Sequence, residues 1–214
     1  MQNSYKRIDA HLSSLGYCTR SEAKKFLRIF ELTVNDKRVF DTSIKAYHND
    51  IKVNNEVLDP EIITILINKP SGFICSHNDA GSLIYALIPS RWNRRNPKIS
   101  TIGRLDVDTT GAIILTDDGA LNHKLSSPKS DVSKIYEATL AVPLNGDEKE
   151  IFASGELMLN GEKKPLLPAV LEVISETHVR LEICEGKYHQ VKRMFAAVGN
   201  RVLSLHRVSF GGFM

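Results

Sequence analysis

Cysteine is scarce. Cys18, Cys75 and Cys184 are odd in number and far apart, which excludes a disulfide framework and matches no zinc spacing. The seven histidines are dispersed as well, so no metal is expected. Long apolar runs are missing: nothing approaches the roughly 18 to 20 residues of a membrane span. The opening MQNSYKRIDAH has no apolar core of signal-peptide length. A cytoplasmic protein with no membrane partner is therefore expected. There is no internal repeat, no Gly-x-Ser-x-Gly nucleophile elbow and no glycine-rich phosphate loop, which argues against serine hydrolysis and nucleotide hydrolysis.

Acid is absent from two long segments. Ala80 to Leu105 holds Arg91, Arg94, Arg95, Lys98 and Arg104 with no Asp or Glu, and Gly186 to Met214 holds Lys187, Lys192, Arg193, Arg201 and Arg207 with none. The net charge is only +3, so this segregation, more than the total, points to a polyanion-binding face. With 42% hydrophobic and 25% charged residues in 214, the chain suits one medium domain, or one domain with a small accessory module.

Ile8, His11, Leu12 and Leu15 recur at helical spacing, with Gly16 as a C-terminal stop. TRSE then reads as a capping box, Thr19 with Glu22, opening a helix with Ala23, Phe26, Leu27 and Phe30 on one face. Arg20, Lys24 and Arg28 lie four apart on an adjoining stripe, a pattern for phosphates or for a solvated face. Short strands follow in LTVND, KRVF and DIKVNNEVL, and Asp59-Pro60 closes the unit. From Glu61 onward strands and short helices alternate irregularly. IITILINK and AIILTDD are apolar; KIYEATLAV puts Tyr136, Ala138, Leu140 and Val142 on one face; HVRLEICEG turns Val179, Leu181 and Ile183 inward. Val191, Met194, Phe195 and Val198 have helical spacing, and RVLSLHRVSF is the last strand. The expected class is α+β with a mixed, mostly antiparallel sheet.

The first unit, through RIDAHLSSLGYCTRSEAKKFL, TVND and NDIKVNNEVL, resembles the small RNA-binding module of ribosomal protein S4. An S4-like RNA-binding domain over residues 1–59 and a catalytic domain over 60–214 are expected. Relatives of that module place glycines where Phe30 and Asp36 stand, which leaves the two turns open.

The stretch TIGRLDVDTTGAIILTDDG poses the chemical question: why Asp106 sits between Arg104-Leu105 and a buried strand. A loop Asp usually caps a turn, and Asp106 and Asp108 lie too close in sequence to straddle a sugar as a glycosidase pair does. Yet GRLDVDTTG, together with NKPSGFICS, KIYEATL and EICEGKYHQVKRMFAAVGNRVLSLHR, resembles the pseudouridine synthase family in four motifs in order across residues 61 to 212. The forms GRLDVDTTG and GKYHQVKRM, and the leading module, are similar to the RsuA branch, whose members modify a uridine in bacterial small-subunit ribosomal RNA. The alternatives are a related synthase for large-subunit RNA and a noncatalytic ribosome-associated RNA-binding protein.

The resemblance implies an isomerisation in which a uracil leaves its ribose through nitrogen, rotates and rejoins through carbon. Nothing is oxidised and no group is transferred away, so no cofactor is expected. The family's essential carboxylate matches Asp106, acting by addition or by proton removal. A carboxylate under a base has to stay ionised, which burial opposes and a neighbouring cation favours. The matching cation is Lys192, with Arg193 as its neighbour and substitute. Tyr136 matches the tyrosine that stacks on the uracil and takes the ring proton. Arg104 matches the arginine that fills the gap of a flipped base. Gly186 lets the backbone approach the uracil, and Lys69, Pro70 and Gly72 support the floor. Ribosomal RNA is the expected partner of a monomer.

Overall fold

The structure is a computed structural model that describes residues 3–127 and 130–214. Its contacts divide the chain into two units: Met1–Ile65 with Tyr85–Ser100 and Leu115–Ala120, and Leu66–Ile84 with Thr101–Ile114 and Leu121–Met214.

In the first unit, β1 (Tyr5–Arg7) pairs antiparallel with β4 (Lys45–Tyr47) and leads into α1 (Ile8–Ser14). After α2 (Ala23–Ile29) come β2 (Leu32–Val34), β3 (Lys37–Arg38), β5 (Ile51–Val53) and β6 (Glu56–Val57), a small sheet in the order β3-β2-β5-β6. Ile8, His11, Leu12 and Leu15 are all buried, as their spacing requires. Gly16 ends α1 at a positive φ of 78°. A side chain there would also overlap the Arg91 carbonyl, so glycine is needed for space as well as for conformation. Thr19 and Glu22 bond reciprocally, amide to carboxylate at 3.0 Å and amide to hydroxyl at 3.3 Å. The helix proper begins one residue after Glu22, however, so Arg20 lies in the preceding turn and not on a helical stripe with Lys24 and Arg28. Of the two positions without glycine, Phe30 is extended (φ −116°) and needs none. Asn35 and Asp36 both take positive φ (49° and 60°), the two-residue turn that Asn and Asp tolerate best after glycine.

Two basic residues of the acid-free segments belong to the interior. Arg95 is buried, pairing with Asp117 at 2.7 Å and donating to the carbonyls of Pro60 (2.8 Å) and Glu61 (2.9 Å). Breaking such a pair costs about 3–5 kcal/mol, because the charge left behind stays buried. Arg207 is buried too and donates to the Ala112 carbonyl at 2.6 Å. Neither belongs to a polyanion-binding surface, which corrects the charge reading at these positions. Val142, expected inward, lies beyond the end of its strand and is exposed.

The second unit is built on a mixed sheet of seven strands among the described residues: β7 (Thr64–Lys69), β8 (Ser100–Thr101), β9 (Thr110–Thr116), β10 (Lys134–Leu140), β11 (Val170–Val173), β12 (His178–Ile183) and β13 (Val202–Phe210). The ends of β7, β8 and β9 fall in the first unit. The order is β11-β12-β10-β13-β9-β7, with β8 on β9. Pairings from β11 to β13 are antiparallel, and β13 meets β9 in parallel through His206↔Thr110 and Arg207↔Gly111. The helices α3 (Gly119–Ser126), α4 (Glu148–Ala153) and α5 (Gln190–Ala197) complete it. Val179, Leu181 and Phe195 are fully buried, and Phe195 meets Phe152 edge-on at 5.3 Å. Each such side chain contributes about 1.5–3 kcal/mol. No helix among the described residues is long and apolar enough to cross a membrane.

The fold also gathers histidines that are dispersed in sequence. One ligand atom each of His11, His48 and Glu61 lies within 4.8 Å of the others. The carboxylate is already committed: Glu61 accepts from the Ser4 amide (3.0 Å) and pairs with Lys6 (3.2 Å), while His11 Nε2 donates to the Ala46 carbonyl (3.1 Å) and only Nδ1 of each histidine is left without a partner. A lysine ammonium at the carboxylate is a poor neighbour for a divalent cation. Burial, the largest influence, pushes both imidazoles below their ordinary range and outweighs the opposing pull of Glu61. The unfolded chain takes up protons near pH 6.5 that the folded chain refuses. Stability is thus fully present above that pH and falls as pH drops below it. Urea unfolding at pH 7.5 and 5.5 should show the loss, and replacing His11 and His48 by Phe and Gln should flatten it.

Candidate active site

Asp106 stands on the loop between β8 and β9, which is fastened at both ends. The Ile102 amide donates to the Ile114 carbonyl (2.8 Å), and the Thr109 amide closes a turn onto the Asp106 carbonyl (3.1 Å). Gly111 takes a φ of 108°, and any side chain on it would overlap the Arg207 backbone. Glycine in the TTG motif therefore permits the parallel contact of β9 with β13, which Thr110 Oγ1 and His206 Nδ1 reinforce at 2.7 Å. Beneath the loop Lys69 is fully buried and donates to the carbonyls of Pro70 (3.1 Å), Val107 (3.3 Å) and Thr109 (2.8 Å). The Gly72 amide, in a left-handed turn, also donates to Val107 (2.8 Å). Burial draws the Lys69 pKa down, opposed by Cys75, Asp108 and Asp106. Three carbonyls on one ammonium make it an internal strut.

Helix α5 supplies the other side. Lys192 Nζ lies 3.0 Å from Asp106 Oδ2 and 2.7 Å from Asp108 Oδ1. Burial works against the lysine charge, but hydrogen bonds to Asp108 and Asp106 outweigh it and hold the Lys192 pKa above the ordinary value. The bond from Lys192 correspondingly lowers that of Asp108. His189, immediately before the helix, places Nε2 3.2 Å from Asp106 Oδ1. The two carboxylate oxygens thus face different partners, Lys192 through a hydrogen bond and His189 through a contact alone. All three side chains are partly exposed, so the site is open to a substrate.

The other expected residues are placed as follows. Tyr136 is buried in β10, paired in register with Leu181 and Arg207. Arg104 is exposed on the Asp106 loop. At Gly186 a Cβ would meet open space. Arg193 turns away from Asp106 and braces other segments, donating to Glu162 (3.0 Å) and to the carbonyls of Tyr188 (3.0 Å) and Asn160 (2.5 Å). Arg20 pairs with Asp9 (3.3 Å), and Lys24 and Arg28 are exposed. His189 and Asp108 escaped sequence reasoning. No sequence pattern marked His189, whose backbone is left-handed and stands just outside the helix.

The family model described as RNA pseudouridylate synthase matches residues 63–197. The chain belongs to this family. The matched span contains Asp106, Tyr136, His189 and Lys192. The chain is similar to the ribosomal small subunit pseudouridine synthase A of Escherichia coli (strain K12), 49% identical over 212 residues, covering 96% of this chain and 89% of the relative. It is similar as well to the protein of that name from Pasteurella multocida (strain Pm70), 40% identical over 210 residues and covering 96% and 88%. Among solved structures, a crystal structure of a pseudouridylate synthase superposes with a TM-score of 0.66 at 40% identity, covering 96% of this chain and 89% of that one. The sheet just described is the fold of this synthase family.

Lysine supplies charge without the planar fork of arginine. Lys192→Gln is expected to slow single-turnover isomerisation about 100-fold while changing RNA affinity only a few-fold, since a preorganised charge is lost from one reacting group. Lys192→Arg should restore most of the rate. Rapid-quench kinetics at saturating RNA would measure both.

Proposed function

We propose that this chain converts a uridine of small-subunit ribosomal RNA to pseudouridine, with Asp106 as the essential carboxylate. The carrying observation is the Asp106 carboxylate held by Lys192 and His189 within the span the family shares. The relatives at 40–49% identity support the choice of RNA, being small-subunit synthases by name.

The site residues have the following roles in this reading. The target nucleotide leaves its stack, at a cost of a few kcal/mol, and Arg104 on the exposed loop occupies the vacated space. Asp106, paired with Lys192, acts on the ribose as the bond from the anomeric carbon to uracil N1 breaks. The uracil rotates and C5 bonds to the same carbon. The C5 proton then leaves and N1 gains one, so atoms and charge balance without a cofactor. Tyr136 lies against the uracil and takes the C5 proton. Gly186 leaves room for the base edge. Lys69, Pro70 and Gly72 keep the Asp106 loop in place, and Arg193 serves by bracing the backbone around Tyr188.

We read residues 1–59 as an S4-like RNA-binding domain and 60–214 as the synthase domain. In support, Ile8, Leu12, Leu15, Phe26, Leu32, Ala46, Ile51, Val53 and Leu58 form one apolar cluster drawn wholly from the first segment. Exposed Lys24 and Arg28 suit phosphate contacts, with Arg20 partly neutralised by Asp9. The enzyme acts in the cytoplasm on ribosomal RNA or its assembly intermediates.

Base-resolved pseudouridine mapping of ribosomal RNA, with and without the gene, tests the reading. One small-subunit uridine should lose its modification and regain it on complementation. Loss at a large-subunit position, or at none, would refute the assignment.

A further inference from the structure

We infer that His189 is a positioning residue for Asp106, confining the carboxylate oxygen that Lys192 leaves free. The inference rests on the reading of Asp106 as the reacting carboxylate. A single ammonium attracts a carboxylate but does not fix its plane, because its donors rotate and its charge is compact. Rotation about the last bond of Asp106 carries either oxygen toward or away from a ribose. Two basic side chains against two different oxygens restrict that freedom. Lys192 takes Oδ2 at 3.0 Å, and His189 Nε2 takes Oδ1 at 3.2 Å.

The imidazole is itself held in an uncommon way. His189 has φ 47° and ψ 36°, the left-handed region, uncommon outside glycine although His, Asn and Asp enter it more readily than other side chains. This conformation costs about 1–3 kcal/mol when the surroundings impose it. The surroundings here are specific. Gln190, buried next to it, accepts from the Lys187 amide (2.8 Å) and donates to Glu185 (3.0 Å), which closes the loop from both sides. Arg193 holds the Tyr188 carbonyl (3.0 Å), and the Arg193 amide donates to the His189 carbonyl (3.0 Å). The Tyr188 ring lies flat on the imidazole, 3.8 Å between centroids and 19° between planes. Tyr188 is otherwise 75% exposed, so its ring contributes little to the core and its evident contact is the imidazole. The left-handed backbone, the stacked ring and the braced loop together keep the imidazole edge beside Oδ1.

Four variants test the inference in single-turnover assays on target RNA with affinity measured alongside. His189→Gly keeps the left-handed backbone and removes the imidazole. Its rate at saturating RNA should fall about 100-fold with affinity unchanged, the scale of an ångström of misplacement at a reacting group. Added imidazole should restore part of that rate, since the vacated site is open to solvent. His189→Gln, whose Nε2 reaches about as far as the imidazole Nε2, should keep more activity than His189→Leu. Asp106→Asn is the reference for the reading underneath: if it remains active, that reading fails. If Asp106→Asn is inactive while His189→Gly reacts at the wild-type rate, or loses only affinity, the positioning role alone is refuted.

Discussion

One lysine connects helix α5 with the Asp106 loop, far away in sequence, through two ion pairs. Lys192 reaches Asp106 and Asp108 at 3.0 and 2.7 Å, and neither element places its charge without the other. The pairs are partly exposed, and such a pair by itself stabilises a fold little. What fixes their geometry is the packing beneath. Strand β9 runs parallel to β13 because Gly111 admits the Arg207 backbone, and that contact begins at Thr110, just after the Asp106 loop. On the other side, α5 is seated by Val191, Met194 and Phe195. The sheet and the helix are rigid, and the charges are carried on them, which is how a site keeps its geometry without a strong pair.

Buried cations are a recurring device in this chain. Lys69 ties three loop carbonyls together, Arg95 joins Asp117 to the carbonyls of residues 60 and 61, and Arg207 bonds the backbone of β9. Loops with irregular backbone carry carbonyls that no sheet partner satisfies, and a long basic side chain satisfies several at once. The basic residues of the acid-free segments therefore differ in what they do: Arg104 is exposed, Arg91, Lys187 and Arg193 pair with acids near the surface, and Arg95 and Arg207 are structural.

Periodicity made the cores legible. The apolar positions of α1, α5 and β12 are buried as their spacing requires, because one hydrophobic face leaves a helix or strand little choice of orientation. The α+β class with a mixed sheet followed from the same reading. Short strands such as β1 and β4 were not legible, since three residues carry no period. Burial of arginine was not legible either, as composition treats every guanidinium alike. At the site, Asp106 and Lys192 stood out through the order of four motifs. His189 did not, because its role depends on a left-handed backbone and on a contact with a carboxylate far away in the sequence. Arg193 stood out for its charge, yet the geometry commits that charge to Glu162 and two carbonyls.

The proposed chemistry requires the Asp106 carboxylate to act on the ribose of a flipped uridine. The most direct measurement is tritium release from target RNA labelled at uracil carbon five, comparing wild type with Asp106→Asn at saturating enzyme and with binding verified for both. Tritium release by the wild type alone, with RNA bound equally by both, is the predicted result. Release by the Asn variant at the wild-type rate would contradict the account.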